Sequence, residues 1–182
     1  AIRNKSTDED TALSFTVTAD DPDGDEISYS AEGLPEGASF SGDNFSWTPS
    51  YEQAGTYTVT FSASDGSETD TETITITVAN VNRTPVMEPI SDTGGDENAL
   101  LTLEVSASDP DGDALSYNAA GLPQGASFDN QILRWTPTYE QAGTYTVTFT
   151  ASDGTETVSR TVTITINNVN RAPQLEDLAN KS

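Results

Sequence analysis

A gapless internal repeat constrains this chain more than any other feature. Asp21 and Asp109, Trp47 and Trp135, and Asp65 and Asp153 each stand 88 positions apart. GLPEGASF at 33–40 returns as GLPQGASF at 121–128, and YEQAGTYTVTF at 51–61 returns unchanged at 139–149. A fixed offset with no slippage marks a tandem array of like-folded units. Asn4-Lys5-Ser6 recurs two repeats later as Asn180-Lys181-Ser182, so the 182 residues read as two units drawn from a longer array. The expected units are 1–82 and 83–170, with 171–182 opening a third.

Within a unit the period is two. Leu13, Phe15 and Val17 alternate with Ser and Thr, as do Tyr57, Val59, Phe61 and Ala63, and Ile74, Ile76 and Val78. β-branched and aromatic residues in this alternation predict half-buried strands, apolar side inward. Gly-Leu-Pro, Trp-Thr-Pro and Ser-Asp-Gly supply turns between them. About seven short strands in 88 residues predict an all-β, two-sheet Greek-key sandwich for each repeat. Trp47 and Trp135 lie two residues from Phe45 and Leu133, which places them in the core rather than on a binding platform. Tyr57 and Tyr145, each after Ala-Gly-Thr, resemble the structural tyrosine that opens a late strand of immunoglobulin-type sandwiches.

Charge narrows the partners. Seven Lys and Arg stand against 30 Asp and Glu, a net charge of -23. Such a surface repels nucleic acid and anionic lipid. Fourteen aromatic residues in strand-like runs argue for folded domains despite the acidity. The absence of Cys and His removes thiol chemistry, most zinc and copper sites and the commonest general base. No apolar run reaches the roughly 20 residues of a membrane helix, so no direct membrane insertion is expected.

The acidity is concentrated. Residues 21–25 and 109–113 both read Asp-Pro-Asp-Gly-Asp. Carboxylates this close repel unless a cation sits among them or water solvates them. Oxygen ligands with no nitrogen or sulfur nearby favour calcium over magnesium, which demands stricter geometry. An EF-hand is excluded, because Glu26 stands where that loop needs glycine and Ala120 where it needs glutamate. Asp65 and Asp153 fall at another strand end, in Ala-Ser-Asp-Gly, and Glu9 and Glu97 precede the first long strand of each unit. The alternative is a solvated acidic turn.

In order, an early Glu, Asp-x-Asp, Tyr-Glu-Gln-Ala-Gly-Thr-Tyr, Ala-Ser-Asp-Gly and Asn-Val-Asn-Arg-x-Pro together resemble bacterial cadherin-like repeats. These are the dystroglycan-type, immunoglobulin-like modules of large surface or secreted proteins, and the resemblance covers both units almost fully. It implies calcium at the junction between units, with Glu9 and Glu52 from the first, Asn80 and Asn82 from the linker, and Asp109, Asp111 and Asp153 from the second. It implies half-sites elsewhere: Asp21, Asp23 and Asp65 at one end, and Glu97, Glu140, Asn168 and Asn170 at the other. The linker departs from the cadherin pattern, with Arg83 where an aspartate ligand would stand, and Ser50 and Thr138 replace the aspartate before Glu52 and Glu140. One or two ions are therefore expected, or Arg83 pairs with the acidic cluster in place of a metal. Asp25 and Asp113 stay unassigned.

The leading expectation is a non-enzymatic, calcium-stiffened extender of a bacterial extracellular or cell-surface protein, adhesin-like, or a spacer in a secreted enzyme. Its partners would be neighbouring repeats of the same chain, and as a fragment it would be monomeric. The second is a module binding carbohydrate or another copy of itself, which needs exposed rings such as Tyr29 with Tyr117 or Tyr51 with Tyr139. Catalysis by a carboxylate pair finds little support, because every acidic cluster sits among turn residues at a strand end.

Overall fold

Alternation of Thr and Ser with Val, Ile, Phe and Tyr yields strands throughout. The computed structural model describes residues 1–174, so residues 175–182 of the expected third unit lie outside the described residues. Among the described residues every regular element is a strand. The chain divides into two compact units, Ala1–Asn82 and Arg83–Ser182.

The first unit has seven strands: β1 (Lys5–Asp8), β2 (Leu13–Thr16), β3 (Ser28–Glu32), β4 (Ser39–Ser41), β5 (Asn44–Trp47), β6 (Gly55–Ser64) and β7 (Thr69–Ala79). One sheet runs β1-β7-β6-β3 and the other β2-β5-β4. The chain passes between sheets after β1, β2, β3 and β5, the Greek-key connectivity of a sandwich. β1 is parallel to β7, and the other pairs are antiparallel. Val59, Phe61, Ile74, Ile76 and Val78 from one sheet close on Phe45 and Trp47 from the other.

The second unit repeats the plan with β9 (Thr93–Asp96), β10 (Leu101–Glu104), β12 (Ser116–Ala120), β13 (Ser127–Asp129), β14 (Ile132–Trp135), β15 (Gly143–Ser152) and β16 (Thr157–Asn167). It adds a two-residue pair, β8 (Val86–Met87) against β11 (Ala107–Ser108). Phe128, Leu133, Trp135 and Phe149 carry its core, with Leu133 where the first unit has Phe45.

Both tryptophans are buried, at 2% and 1% exposure for Trp47 and Trp135. Trp47 Nε1 donates to Glu36 O at 3.1 Å, whereas Trp135 Nε1 is buried without an acceptor. Tyr57 donates to Gln53 O at 3.0 Å and Tyr145 to Gln141 O at 2.9 Å, closing the corner expected of them. One strand differs from expectation. The run of Leu13, Phe15 and Val17 is not one strand, since β2 ends at Thr16 and Val17 N–H donates to Asp43 O at 2.8 Å. That acceptor lies in the β4–β5 turn, where the ladder runs out.

Candidate functional site at the acidic loops and the linker

The glutamates before β2 and β10 are pulled inside by tight turns. Asp10 and Asn98 have φ of 54° and 60°, and their N–H groups donate to Pro49 O and Pro137 O, each at 2.8 Å. Asp and Asn tolerate this left-handed conformation better than other side chains. The turn leaves Glu9 at 2% exposure and Glu97 at 3%. Glu9 Oε1 accepts Ala54 N–H at 2.8 Å, and its Oε2 accepts Val81 N–H at 2.9 Å. Glu97 does the same with Ala142 N–H at 3.0 Å and Val169 N–H at 2.8 Å. A buried carboxylate is tolerable because both oxygens receive charge-assisted bonds. Each glutamate thus ties the chain leaving its own unit to the turn before β6 or β15.

The aspartates of the DPDGD loops brace their own turns. Asp21 Oδ1 accepts the N–H groups of Asp23 and Asp25 at 2.8 and 3.0 Å. Asp109 Oδ1 accepts those of Asp111 and Asp113 at 2.8 and 3.2 Å. Asp25 and Asp113, unassigned from sequence, therefore contribute their backbone to these turns. Asp65 Oδ1 binds Ser67 and Glu68 N–H, each at 2.7 Å, and Asp153 Oδ1 binds Thr155 and Glu156 N–H, each at 2.6 Å. The Glu68 and Ser67 N–H groups hold the Asp65 carboxyl below the usual aspartate range.

Arg83 reaches this loop in the second unit. Its N–H donates to Asp111 Oδ2 at 2.6 Å, its Nε to Asp111 Oδ1 at 2.7 Å, and its Nη2 to Pro110 O at 2.6 Å. Asp111 is only 6% exposed and Arg83 27%. The Arg83 N–H is the main influence holding the Asp111 carboxyl below its ordinary range; desolvation opposes it, the guanidinium reinforces it, and the Asp153 charge opposes it. The planar guanidinium divides its donors between the Asp111 carboxylate and the Pro110 carbonyl, which the single ammonium of a lysine would match less well.

The repeat places Arg171 where Arg83 stands, but Arg171 instead donates to Glu140 Oε1 at 2.8 Å and lies 4.6 Å above the Tyr139 ring. That pair is exposed, 55% and 82%, and so is weak. Glu52, Asn80, Asn168 and Asn170 are also exposed, and Asn82 is half-buried. Asp23 is exposed, whereas its counterpart Asp111 is clasped.

The oxygen donors suit a hard cation, and Asp109 Oδ2 is buried without a hydrogen-bond partner. Yet among the described residues no three acidic side chains gather as a metal cluster. The fit is therefore partial, with an orphaned anionic oxygen beside a carboxylate whose charge Arg83 already balances. The backbone-binding role of Glu9 and Glu97 was not read from sequence. Its available signal was a lone glutamate between a strand and a turn, one repeat apart. Of the four candidate rings, Tyr29 OH accepts Ala19 N–H at 3.0 Å, Tyr117 OH accepts Ala107 N–H at 3.1 Å, Tyr51 OH donates to Asp10 at 3.2 Å, and the Tyr139 ring lies 4.6 Å beneath the Arg171 guanidinium.

Two-sheet Greek-key units in tandem define an immunoglobulin-like, cadherin-like repeat protein. The chain belongs to the family described as "Putative Ig domain", which matches residues 1–79 and 84–167. It is 34% identical over 163 residues to chitinase A of Pseudoalteromonas piscicida, covering 85% of this chain and 20% of that protein. It is 27% identical over 136 residues to a serine-rich adhesin for platelets of Staphylococcus aureus, covering 73% of this chain and 6% of that one. The chain thus spans a fifth or less of these relatives. Among solved structures it resembles human protocadherin-24 EC1-2, with a TM-score of 0.54 and 15% identity, covering 90% of this chain and 95% of that one.

Proposed function

We propose that the two repeats are non-catalytic spacers in a larger bacterial protein of the cell surface or exterior, adhesive or polysaccharide-active. One observation carries this reading. Val81 is tied to the first unit by Glu9, and Arg83, two residues on, is tied to the second by Asp111. A linker anchored at both ends loses most of its conformational freedom, which is what an extender requires. Similarity to a chitinase and to an adhesin supports both kinds of parent.

Calcium is the proposed cofactor, bound weakly at the acidic loops. Asp109 and Asp153 would hold it in the second unit, and Asp21 and Asp65 in the first. A bound ion would supply positive charge to the unpartnered Asp109 Oδ2. Because Arg83 already neutralises Asp111, fewer ions are expected than the cadherin resemblance implies. Thermal unfolding in excess EDTA, then in millimolar calcium or magnesium, tests this. Calcium at 100 times its dissociation constant stabilises by about 2.7 kcal/mol. For domains of this size that raises Tm by about ten degrees or more. A calcium-specific rise is the expected result; equal or absent responses to the two ions would remove calcium from the account and leave the charge at the loop to Arg83.

A further inference from the structure

The two units differ in charge along one sheet edge. Residues 114–128 contain no charged side chain, the longest such run in the chain. The same positions in the first unit, 26–40, carry Glu26, Glu32 and Glu36, which become Ala114, Ala120 and Gln124 in the second. All six residues are exposed, so the change alters the surface and not the core.

The neutral run contains β12, the terminal strand of its sheet. Among the described residues β12 pairs with β15 on one side and with no strand on the other. Ser116, Asn118 and Ala120 are exposed, and they lie beside Ser152, Thr150 and Thr148 of β15, so the adjoining face is neutral as well. An edge strand presents unpaired N–H and C=O groups to any chain that can reach them, and charges along the edge are the usual guard. The equivalent edge β3 has that guard, with Glu32 in the strand and Glu26 two residues before it. β12 lacks it.

Charge also selects the occupant. Two copies that each carry a net charge of -23 repel over most of their surfaces. They approach at least cost where both are neutral, and a Debye length of about 8 Å at physiological ionic strength screens the carboxylates farther off. β12 suits its own copy in two further ways. Turned about a two-fold axis through the sheet, it meets itself antiparallel. Asn118, at its centre, carries both a donor and an acceptor, so it can serve either side of such a pair.

We infer that β12 pairs antiparallel with β12 of a second copy, joining two four-stranded sheets into one of eight strands. This goes beyond the spacer reading and departs from the expectation of a monomeric fragment. The same patch serves both copies, so association closes at a dimer. A five-residue strand gives a contact at the small end of specific interfaces, so the dimer is weak.

Sedimentation velocity of the full chain, from micromolar to millimolar concentration, tests the inference. The average mass is expected to rise toward twice the monomer and no further. Ala114→Glu and Ala120→Glu each install the residue that the first unit carries at that position, so the fold is retained. Two-fold symmetry places each new charge at the contact twice, and either change should weaken dimerisation by about tenfold or more. Hydrogen exchange locates the contact: amides within 116–120 should gain protection with concentration, and those within 28–32 should not. A chain that is monomeric throughout would overturn the inference. So would assembly beyond a dimer, a dimer that survives both glutamates, or protection that rises equally in 28–32.

Discussion

Glu9 and Glu97 show how a single side chain carries more of this structure than its chemistry announces. The resemblance implies both as calcium ligands; the structure adds a second role, in which each oxygen receives a backbone N–H. A carboxylate near a strand end gives no sign in sequence of the amides it holds, because its burial depends on the fold. Replacing Glu9 with Ala leaves two N–H groups without partners and is expected to destabilise the first unit by about 2–4 kcal/mol. Chemical denaturation monitored through Trp47 measures this. Arg83 was more legible, since a lone cation in an acidic linker has few other places to go. Its clasp has a pH signature. The folded-state pKa of Asp111 lies below the unfolded value, so its contribution to stability is present above the ordinary aspartate pKa of about 3.9 and is lost as pH falls through the folded value. Stability measured in the acid range should fall less steeply in Asp111→Asn than in the parent chain. Equal slopes would show that the clasp does not couple folding to protons.

At the scale of elements, the alternation of apolar and hydroxyl residues fixed the long strands well. β6, β7, β15 and β16 cover the runs expected of them, because both their neighbours and their buried faces favour the same residues. Short pieces were not legible. The break after Thr16 depends on where the β4–β5 turn stops offering carbonyls, and β8 gains its two-residue pairing from a neighbour distant in sequence. The Gly-Leu-Pro turns were legible and have a steric reason. Gly121 has φ +78°, and a Cβ there would stand 2.8 Å from Thr146 O. Gly121→Ala therefore combines a left-handed backbone with a clash against a strand carbonyl, and should cost about 1–3 kcal/mol. Gly125, with φ +87° and open space around it, isolates the backbone cost alone. Gly121→Ala should be the more damaging of the two in the same denaturation assay.

For the whole molecule, the repeat of 88 positions and the motif order pointed to the family that the comparison shows. What the repeat concealed is that equivalent positions do different work. Arg83 is half-buried in a three-bond clasp, whereas Arg171 rests on an exposed glutamate. The same residue type at the same phase takes its role from the loop within its reach. The central claim at this scale is that the protein's own groups, Glu9 and Arg83, order the linker without requiring an ion. Amide hydrogen exchange at Val81 and Arg83, measured in excess EDTA, tests it most directly. The account predicts protection of both amides, lost at Val81 in Glu9→Ala and at Arg83 in Asp111→Ala. Free exchange of both amides in EDTA, with protection appearing only on addition of calcium, would contradict it.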